Sequence, residues 1–341
     1  MSISAPQRPI DVPPYSVQTI LSEANIGISD QSVRVAQAFG NELYVGFSQG
    51  ELARFALVPE SESYTILSRQ TLPGGKPVED IVLVSSLQRA LVLCDNQIHI
   101  LTLPNLDPVN IKPIRHIVCM AVDQLHLLRP APTQGMPIEP VQFCAIKRGT
   151  IALYSLRGDR LLFMKEIPLP DGATLARRSG FTLCIANKVN YQIIDLETAS
   201  AMDIIPVSQA FDPPPFIVTP SITAIEHGEF LILSFTGVST LGLFINSNGD
   251  PVRGTLEWTQ HPLSLNYDYP YITSLLPNDT IEVHSVENQA IQQVVAAPAS
   301  GNHRKRIIAA VHGYAVPSSD KGSKMKKVSV SLMRGPPVLA T

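Results

Sequence analysis

The stretch YVGFSQGELARFAL, Tyr44 to Leu57, carries two readings. Its Gly46-Phe47-Ser48-Gln49-Gly50 segment fits G-x-S-x-G, the spacing of a hydrolase nucleophile elbow. The same residues fit an apolar strand, a tight turn and an alternating strand, which is a β-hairpin. The first reading makes Ser48 a nucleophile. The second makes it a turn residue in a β scaffold.

The form returns along the chain. RALVLCDNQIHILTL begins at Arg89, QFCAIKRGTIALYSL at Gln142 and FTLCIANKVNYQIIDL at Phe181. EFLILSFTGVSTLGLFI begins at Glu229, YPYITSLLPNDTIEVHSV at Tyr269 and KRIIAAVHGYAVPSS at Lys305. The spacing, roughly 37 to 52 residues, is that of propeller blades with variable loops. Flanking runs such as VEDIVLV from Val78, RLLFMKEI from Arg160 and QAIQQVV from Gln289 supply further strands, giving four per unit. In QIHILTL, Ile98, Ile100 and Thr102 take one face while His99, Leu101 and Leu103 take the other. Both faces are largely apolar, as a sheet sandwiched between two neighbours requires. The sequence predicts an all-β fold, a seven-bladed β-propeller. YSVQTIL, Tyr15 to Leu21, is a lone strand ahead of the first unit and is expected to close the ring by completing the last blade.

The composition agrees. The 341 residues are 45% hydrophobic, a globular value, and 29 prolines and 20 glycines suit many short strands. A formal net charge of −3 gives no overall basic field for nucleic acid. The N-terminus, MSISAPQRPIDVPPYS, has no apolar signal-peptide core, and no apolar run reaches the roughly 18 residues of a membrane span. A cytoplasmic setting is expected. Cys94, Cys119, Cys144 and Cys184 lie in apolar strand-like runs with no C-x-x-C pair, and are expected as buried, reduced thiols.

The repeat decides the serine. Asn96 occupies the equivalent position in the second unit, and Arg148 or Gly149 in the third. A turn varies in this way and a nucleophile does not. No HGGG-type oxyanion loop and no following Asp-then-His pair accompany it. A serine hydrolase at Ser48 stands as a remote alternative, which labelling by a fluorophosphonate, lost on Ser48→Ala, would support. LPGGKP, Leu72 to Pro77, brushes the phosphate-loop pattern, but Pro77 stands where a Ser or Thr would hold magnesium, so a turn between blades is expected. The eight histidines, His99, His116, His126, His227, His261, His284, His303 and His312, form no H-x-H or H-x-x-x-H pair. Asn278-Asp279-Thr280 reads as a hairpin turn. No catalytic residue, metal ligand or cofactor-binding residue is expected. Two basic clusters, HRKR at 303–306 and KGSKMKK at 321–327, read as solvated charge or as contacts to an anionic membrane or acidic partner.

The segment from Leu241 to Val295 resembles the C-terminal half of a citron homology (CNH) domain. The phrase runs through Gly242, Phe244, Asn246 and Gly249, then Trp258, Pro262, Pro270-Tyr271, Ile281-Glu282-Val283 and Gln292-Gln293. Asn248-Gly249 reads as a tight turn, and Trp258, the lone tryptophan, as an anchor at a blade junction. Within that family, ELYVGFSQGELARFAL, LQRALVLCDNQIHILTLPNLDPV and FCAIKRGTIALYSL are similar to the TGF-β receptor-associated proteins and their fungal vacuolar protein sorting counterparts. The likeness implies a flexible tail at 1–14, a CNH propeller over 15–316, and a loop, closing strand or linker at 317–341 leading to a C-terminal α-solenoid outside this sequence.

It further implies a non-catalytic subunit of the CORVET endosomal tethering complex, peripheral on endosome or vacuole membranes. The implied partners are an early-endosomal Rab GTPase in its GTP form and other class C vacuolar sorting subunits. No partner-binding residue is carried over. The alternatives are a late-endosomal tethering relative, or the regulatory CNH domain of a kinase or Rho exchange factor.

Overall fold

The computed structural model describes residues 31–39, 42–58, 63–132, 137–226 and 228–297, together with the strand backbones at 15–21, 308–310, 313–317 and 325–330. The expected tail at 1–14 lies outside the described residues.

Alternating β-branched and aromatic residues broken by turn chemistry produce antiparallel strands that pair in sequence order. Blade 1 covers 33–71, blade 2 78–115, blade 3 119–168, blade 4 175–206, blade 5 222–258 and blade 6 264–295. The turns follow local chemistry. Asp95 and Asn96 both sit at positive φ, 51° and 55°, as a two-residue type I′ hairpin requires. In blade 4 the Asn187 side-chain oxygen accepts from the backbone N–H groups of Val189 and Asn190 at 2.7 and 2.8 Å.

Six blades, not seven, have the make-up that the repeating unit predicts, with four consecutive strands and described side chains. The seven-bladed propeller expected from the sequence is thereby corrected to six blades. The remaining four-stranded sheet is a composite of both ends of the chain, so no repeat of the unit generates it. Its order is Tyr15–Leu21, Met325–Val330, Gly313–Pro317, Ile308–Ala310. Tyr15–Leu21 pairs antiparallel with Met325–Val330, from Tyr15 opposite Val330 to Leu21 opposite Met325. Ile308–Ala310 lies beside the inner strand of blade 1, Val33–Phe39, and beside that of blade 6, Ser264–Asp268. Part of the basic KGSKMKK run thus belongs to a strand, since Lys326 and Lys327 fall within Met325–Val330; HRKR at 303–306 lies outside the described residues.

The core is divided among the blade junctions. Val35, Tyr44 and Leu52 of blade 1 meet Val78, Ile81 and Val92 of blade 2 in one cluster. Ile146 and Ile151 of blade 3 meet Leu183 and Ile185 of blade 4 in another. Tyr191 and Ile193 of blade 4 meet Phe230 and Ile232 of blade 5, and Leu231 and Trp258 of blade 5 meet Ile272 of blade 6. Each inner blade therefore buries both faces, and removing either from water is the main stabilising term. Among the described residues, no helix is long and apolar enough to cross a membrane.

Candidate functional site

Ser48 lies in the turn between the strands Glu42–Phe47 and Glu51–Val58. Its Oγ accepts from the Ser32 N–H at 3.2 Å, and its own N–H donates to the Ser32 carbonyl at 3.0 Å. The hydroxyl thus fastens a loop. Both glycines of the motif have structural causes. A Cβ on Gly46 would lie 2.6 Å from Val78 Cγ1, so glycine lets blade 1 close on blade 2. Gly50 has φ +78°, where a side chain is strained. A strand follows, where a nucleophile elbow needs a helix.

LPGGKP packs under the same turn as a link between blades 1 and 2. Leu72 donates its N–H to the Gly50 carbonyl at 2.8 Å, and Cys94 Sγ donates to the Lys76 carbonyl at 3.3 Å. Asn278-Asp279-Thr280 forms a hairpin turn, with Asp279 at φ 65° and the Asn278 oxygen accepting from the Thr280 N–H at 3.1 Å. Gly249 has φ +79°, and the Asn246 oxygen accepts from the Asn248 and Asp250 N–H groups at 2.8 and 3.0 Å.

All four cysteines are unpaired; Cys94, Cys144 and Cys184 are buried and Cys119 is half-buried. Burial pushes the Cys94 and Cys144 thiols up to about 11, Cys119 to about 12 and Cys184 higher still. Such thiols stay protonated and are poor nucleophiles.

The structure disperses the histidines. His227, His303 and His312 lie outside the described residues. His261 sits between blade elements, with Nδ1 at 3.1 Å from Thr240 Oγ1 and Nε2 at 2.8 Å from the Thr219 carbonyl. His126 Nδ1 accepts from the Gln142 N–H at 3.0 Å. His284 is 1% exposed, and burial depresses it to about 4. Among the described residues, no group of three or more His, Cys, Asp or Glu side chains is placed to hold a metal ion.

What the fold does assemble is a central channel. A cavity of about 840 Å³ is lined by the inner strands of the six blades, with Asp80, Arg177, Glu226 and Glu229 as its charged groups. A single-turn helix, Gln124–Leu127, begins just beyond the inner strand of blade 3 and adds Leu125 and Leu127 to the lining. Asp123 caps it, accepting from the Leu125 N–H at 3.0 Å.

Asp123 also joins two blades. Its Oδ1 accepts from the Gly180 N–H at 3.1 Å, and its Oδ2 lies 3.9 Å from Arg178 Nη2. Arg178 is 1% exposed and donates Nε to the Gly180 carbonyl and Nη2 to Gln142 Oε1, both at 2.8 Å. Sequence reasoning missed this clip, for which the only local signal is an Asp before a short apolar segment. Trp258 was legible. It is 1% exposed, donates Nε1 to Ser274 Oγ at 2.8 Å across the junction of blades 5 and 6, and lies edge-on to His284 with centroids 4.9 Å apart. Among the described residues, these side chains fasten turns and blade junctions.

Comparison with known proteins agrees with the fold. The chain is 27% identical over 317 residues to transforming growth factor-beta receptor-associated protein 1 of Mus musculus, covering 90% of this chain and 34% of that one. It is 21% identical over 307 residues to vacuolar protein sorting-associated protein 3 of Saccharomyces cerevisiae, covering 83% of this chain and 27% of the other. The chain thus spans about a third or less of the length of these relatives. Among solved structures, the AfRom2 CNH domain superposes with a TM-score of 0.62 at 19% identity, covering 93% of this chain and 99% of that one. The WD40 propeller of Doa1 does so with a TM-score of 0.59 at 16% identity, covering 91% and 97%. These likenesses show the propeller architecture. The family model for the VPS3 N-terminal domain matches residues 29–297, and the chain belongs to that family.

Proposed function

We propose that this chain is the non-catalytic propeller of a vacuolar protein sorting subunit of the CORVET type, which tethers endosomal membranes before fusion. The observation that carries this is the family match over residues 29–297, supported by relatives whose names include vacuolar protein sorting-associated protein 3. The residues that could have argued for chemistry support the same reading, because Ser48, Lys76 and the cysteines all serve turns or core.

The mechanism is rigid presentation. Loops from several blades form a fixed surface that recognises an early-endosomal Rab GTPase in its GTP form, whose switch segments are ordered only by the γ-phosphate. The propeller acts at the cytoplasmic surface of endosomes or vacuoles, beside other class C sorting subunits. GTP-loaded Rab should be retained on immobilised folded chain, and GDP-loaded Rab should wash off. Equal retention of both forms, or of neither, would refute the GTPase role. Crosslinking mass spectrometry on the reconstituted complex should place the contacts on loops between strands, and crosslinks confined to the strand Arg160–Pro168 would refute loop presentation.

A further inference from the structure

The turn between the second and third strands of each blade and the linker to the next blade open on one face, where the inner strands begin. Over blades 4 and 5 that face carries apolar side chains turned to solvent. Val189 sits in the turn of blade 4 and Val238 in the turn of blade 5, while Phe211 and Ile217 belong to the linker 207–221 between them. Phe211 is fully exposed, and Ile217, Val238 and Val189 are 87%, 88% and 64% exposed. Exposure so complete means that little of the protein surrounds these side chains, and they stand off the face as prongs.

The loops that carry them are tied together. The Val189 carbonyl accepts from the Val207 N–H at 2.7 Å, the Val207 carbonyl from the Phe235 N–H at 3.0 Å, and the Phe235 carbonyl from the Gln209 N–H at 2.7 Å. A Cβ on Gly237, next to Val238, would lie 3.4 Å from the Cα of Ala210, next to Phe211. The Phe216 ring lies 5.2 Å from that of Phe235 and 6.3 Å from that of His261, which anchors the linker beside Ile217. Pro213, Pro214 and Pro215 stiffen the span between Phe211 and Phe216.

The N–H groups near the tips need no outside partner. Val189 donates to Asn187 Oδ1 at 2.7 Å, and Val238 and Ser239 donate to Thr236 Oγ1 at 3.4 and 3.1 Å. Ala210 donates to Ser208 Oγ at 3.3 Å, and the three prolines have no N–H to satisfy. A protein interface gains from free donors, which pair across it. Hydrocarbon penalises them. Apolar prongs on loops with internally satisfied donors therefore suit lipid. Arg148 and Lys188, exposed at the turns of blades 3 and 4, are placed to meet lipid phosphates. Asp171 and Asp212 are exposed on the same face, so apolar contact and not net charge drives docking, and Asp212 beside Phe211 keeps insertion shallow.

We propose that this face is a lipid-docking surface, with Phe211, Ile217, Val238 and Val189 entering the headgroup–acyl boundary of a membrane. The inference rests on the membrane setting proposed above and is independent of the GTPase. The test is flotation of the whole chain with protein-free vesicles of phosphatidylcholine, small enough for curvature to expose packing defects. The chain should float, and should still float in about 0.5 M salt, which screens charge but not apolar contact. Phe211→Ser should weaken binding at least about fivefold, and Phe211→Ser with Val238→Ser at least about twentyfold. Leu128→Ser should float like the parent, because Leu128, 81% exposed, lies past the far end of the inner strand Cys119–Val122, on the opposite face. These positions are all exposed, so the variants keep the fold, which an unchanged thermal melt verifies. Brominated lipid should quench added fluorescence in Phe211→Trp and not in Leu128→Trp. A parent chain that stays in the aqueous fraction would overturn the proposal and leave the prongs to a protein partner; GTPase retention, measured without lipid, is untouched by that result. Release by salt, equal losses in Phe211→Ser and Leu128→Ser, or no loss in the double variant would overturn it as well.

Discussion

At the junction of blades 5 and 6, Trp258 lies among Leu231, Phe244, Leu256 and Ile272, with the His284 ring edge-on and a hydrogen bond to Ser274. At the junction of blades 3 and 4, Arg178 is as deeply buried, but its neighbours are the Gly180 carbonyl, Gln142, Cys144 and Asp123. The two junctions solve one problem, holding neighbouring sheets at a fixed angle, with opposite chemistry. The first derives its strength from area removed from water and tolerates approximate partners. The second depends on every hydrogen bond being made, because an unpaired buried charge is costly.

The largest effect should come from the apolar junction. Trp258→Ala removes a fully buried ring and leaves a cavity, and should cost about 4 kcal/mol in urea unfolding, within the range for buried aromatic truncations. A loss below about 1 kcal/mol would mean that blades 5 and 6 are held elsewhere. The room for the ring is built in, since a Cβ on Gly242 would lie 2.7 Å from Trp258 Cζ3.

The polar junction should respond differently. Arg178→Met leaves Asp123, 3% exposed, without its counter-ion and should cost about 3 kcal/mol. Adding Asp123→Asn should recover at least about half of that, because the uncompensated charge goes with it. No such recovery is expected for any second change at Trp258. If the double variant is as unstable as the sum of its parts, Arg178 works by packing and the contrast fails.

Each junction also holds a histidine that burial keeps neutral, which gives a pH test. His284, depressed to about 4, costs nothing while both states are neutral above its unfolded value of about 6.5. As pH falls from there toward 4, the unfolded chain takes up a proton that the folded chain refuses. Stability should therefore decline, by up to about 3 kcal/mol. Glu282, 3.7 Å from His284 and raised by burial, acts in the opposite sense, because its folded state holds a proton more tightly than its unfolded state. In His126 burial lowers the pKa, but the Asp123 carboxylate pulls it back. His284→Gln should thus flatten the stability profile between pH 7 and pH 4.5 more than His126→Gln does. The reverse ranking would show that Asp123 does not stabilise the His126 cation.

How much of this was legible depends on whether the signal is local. Hairpins with Asp95-Asn96 or Asn278-Asp279 at their tips declare themselves, because positive φ and side-chain capping need particular residues at particular places. A tryptophan in a strand-rich chain needs burial, so Trp258 pointed to a junction before any coordinate. Arg178 gave no such signal. It reads as one more charge beside Arg177, and its burial follows from Asp123, Gln142 and Gly180 meeting only after two sheets have packed. The composite sheet was half legible, since Tyr15–Leu21 alternates plainly while Met325–Val330 opens with the two lysines of a basic run. The channel lining was not legible at all. Phe39, Leu128 and Glu226 belong to different blades, and closure of the ring alone makes them neighbours.

The smallest effect refines the comparison from inside the apolar junction. Ser274 Oγ accepts from Trp258 Nε1 at 2.8 Å and donates to the Glu282 carbonyl at 3.2 Å. Ser274→Ala leaves the indole N–H buried without an acceptor and should cost about 1 to 2 kcal/mol. Trp258→Phe alone loses ring area and frees the serine. Combined, the two changes remove donor and acceptor together, so their joint cost should be smaller than the sum by about 1 kcal/mol in a double-mutant cycle. Strict additivity would mean that the indole N–H finds another partner, and that the Trp258 junction is apolar throughout. A coupling well above that figure would move it toward the behaviour of Arg178, with the single hydrogen bond, and not the buried ring, setting how blades 5 and 6 meet.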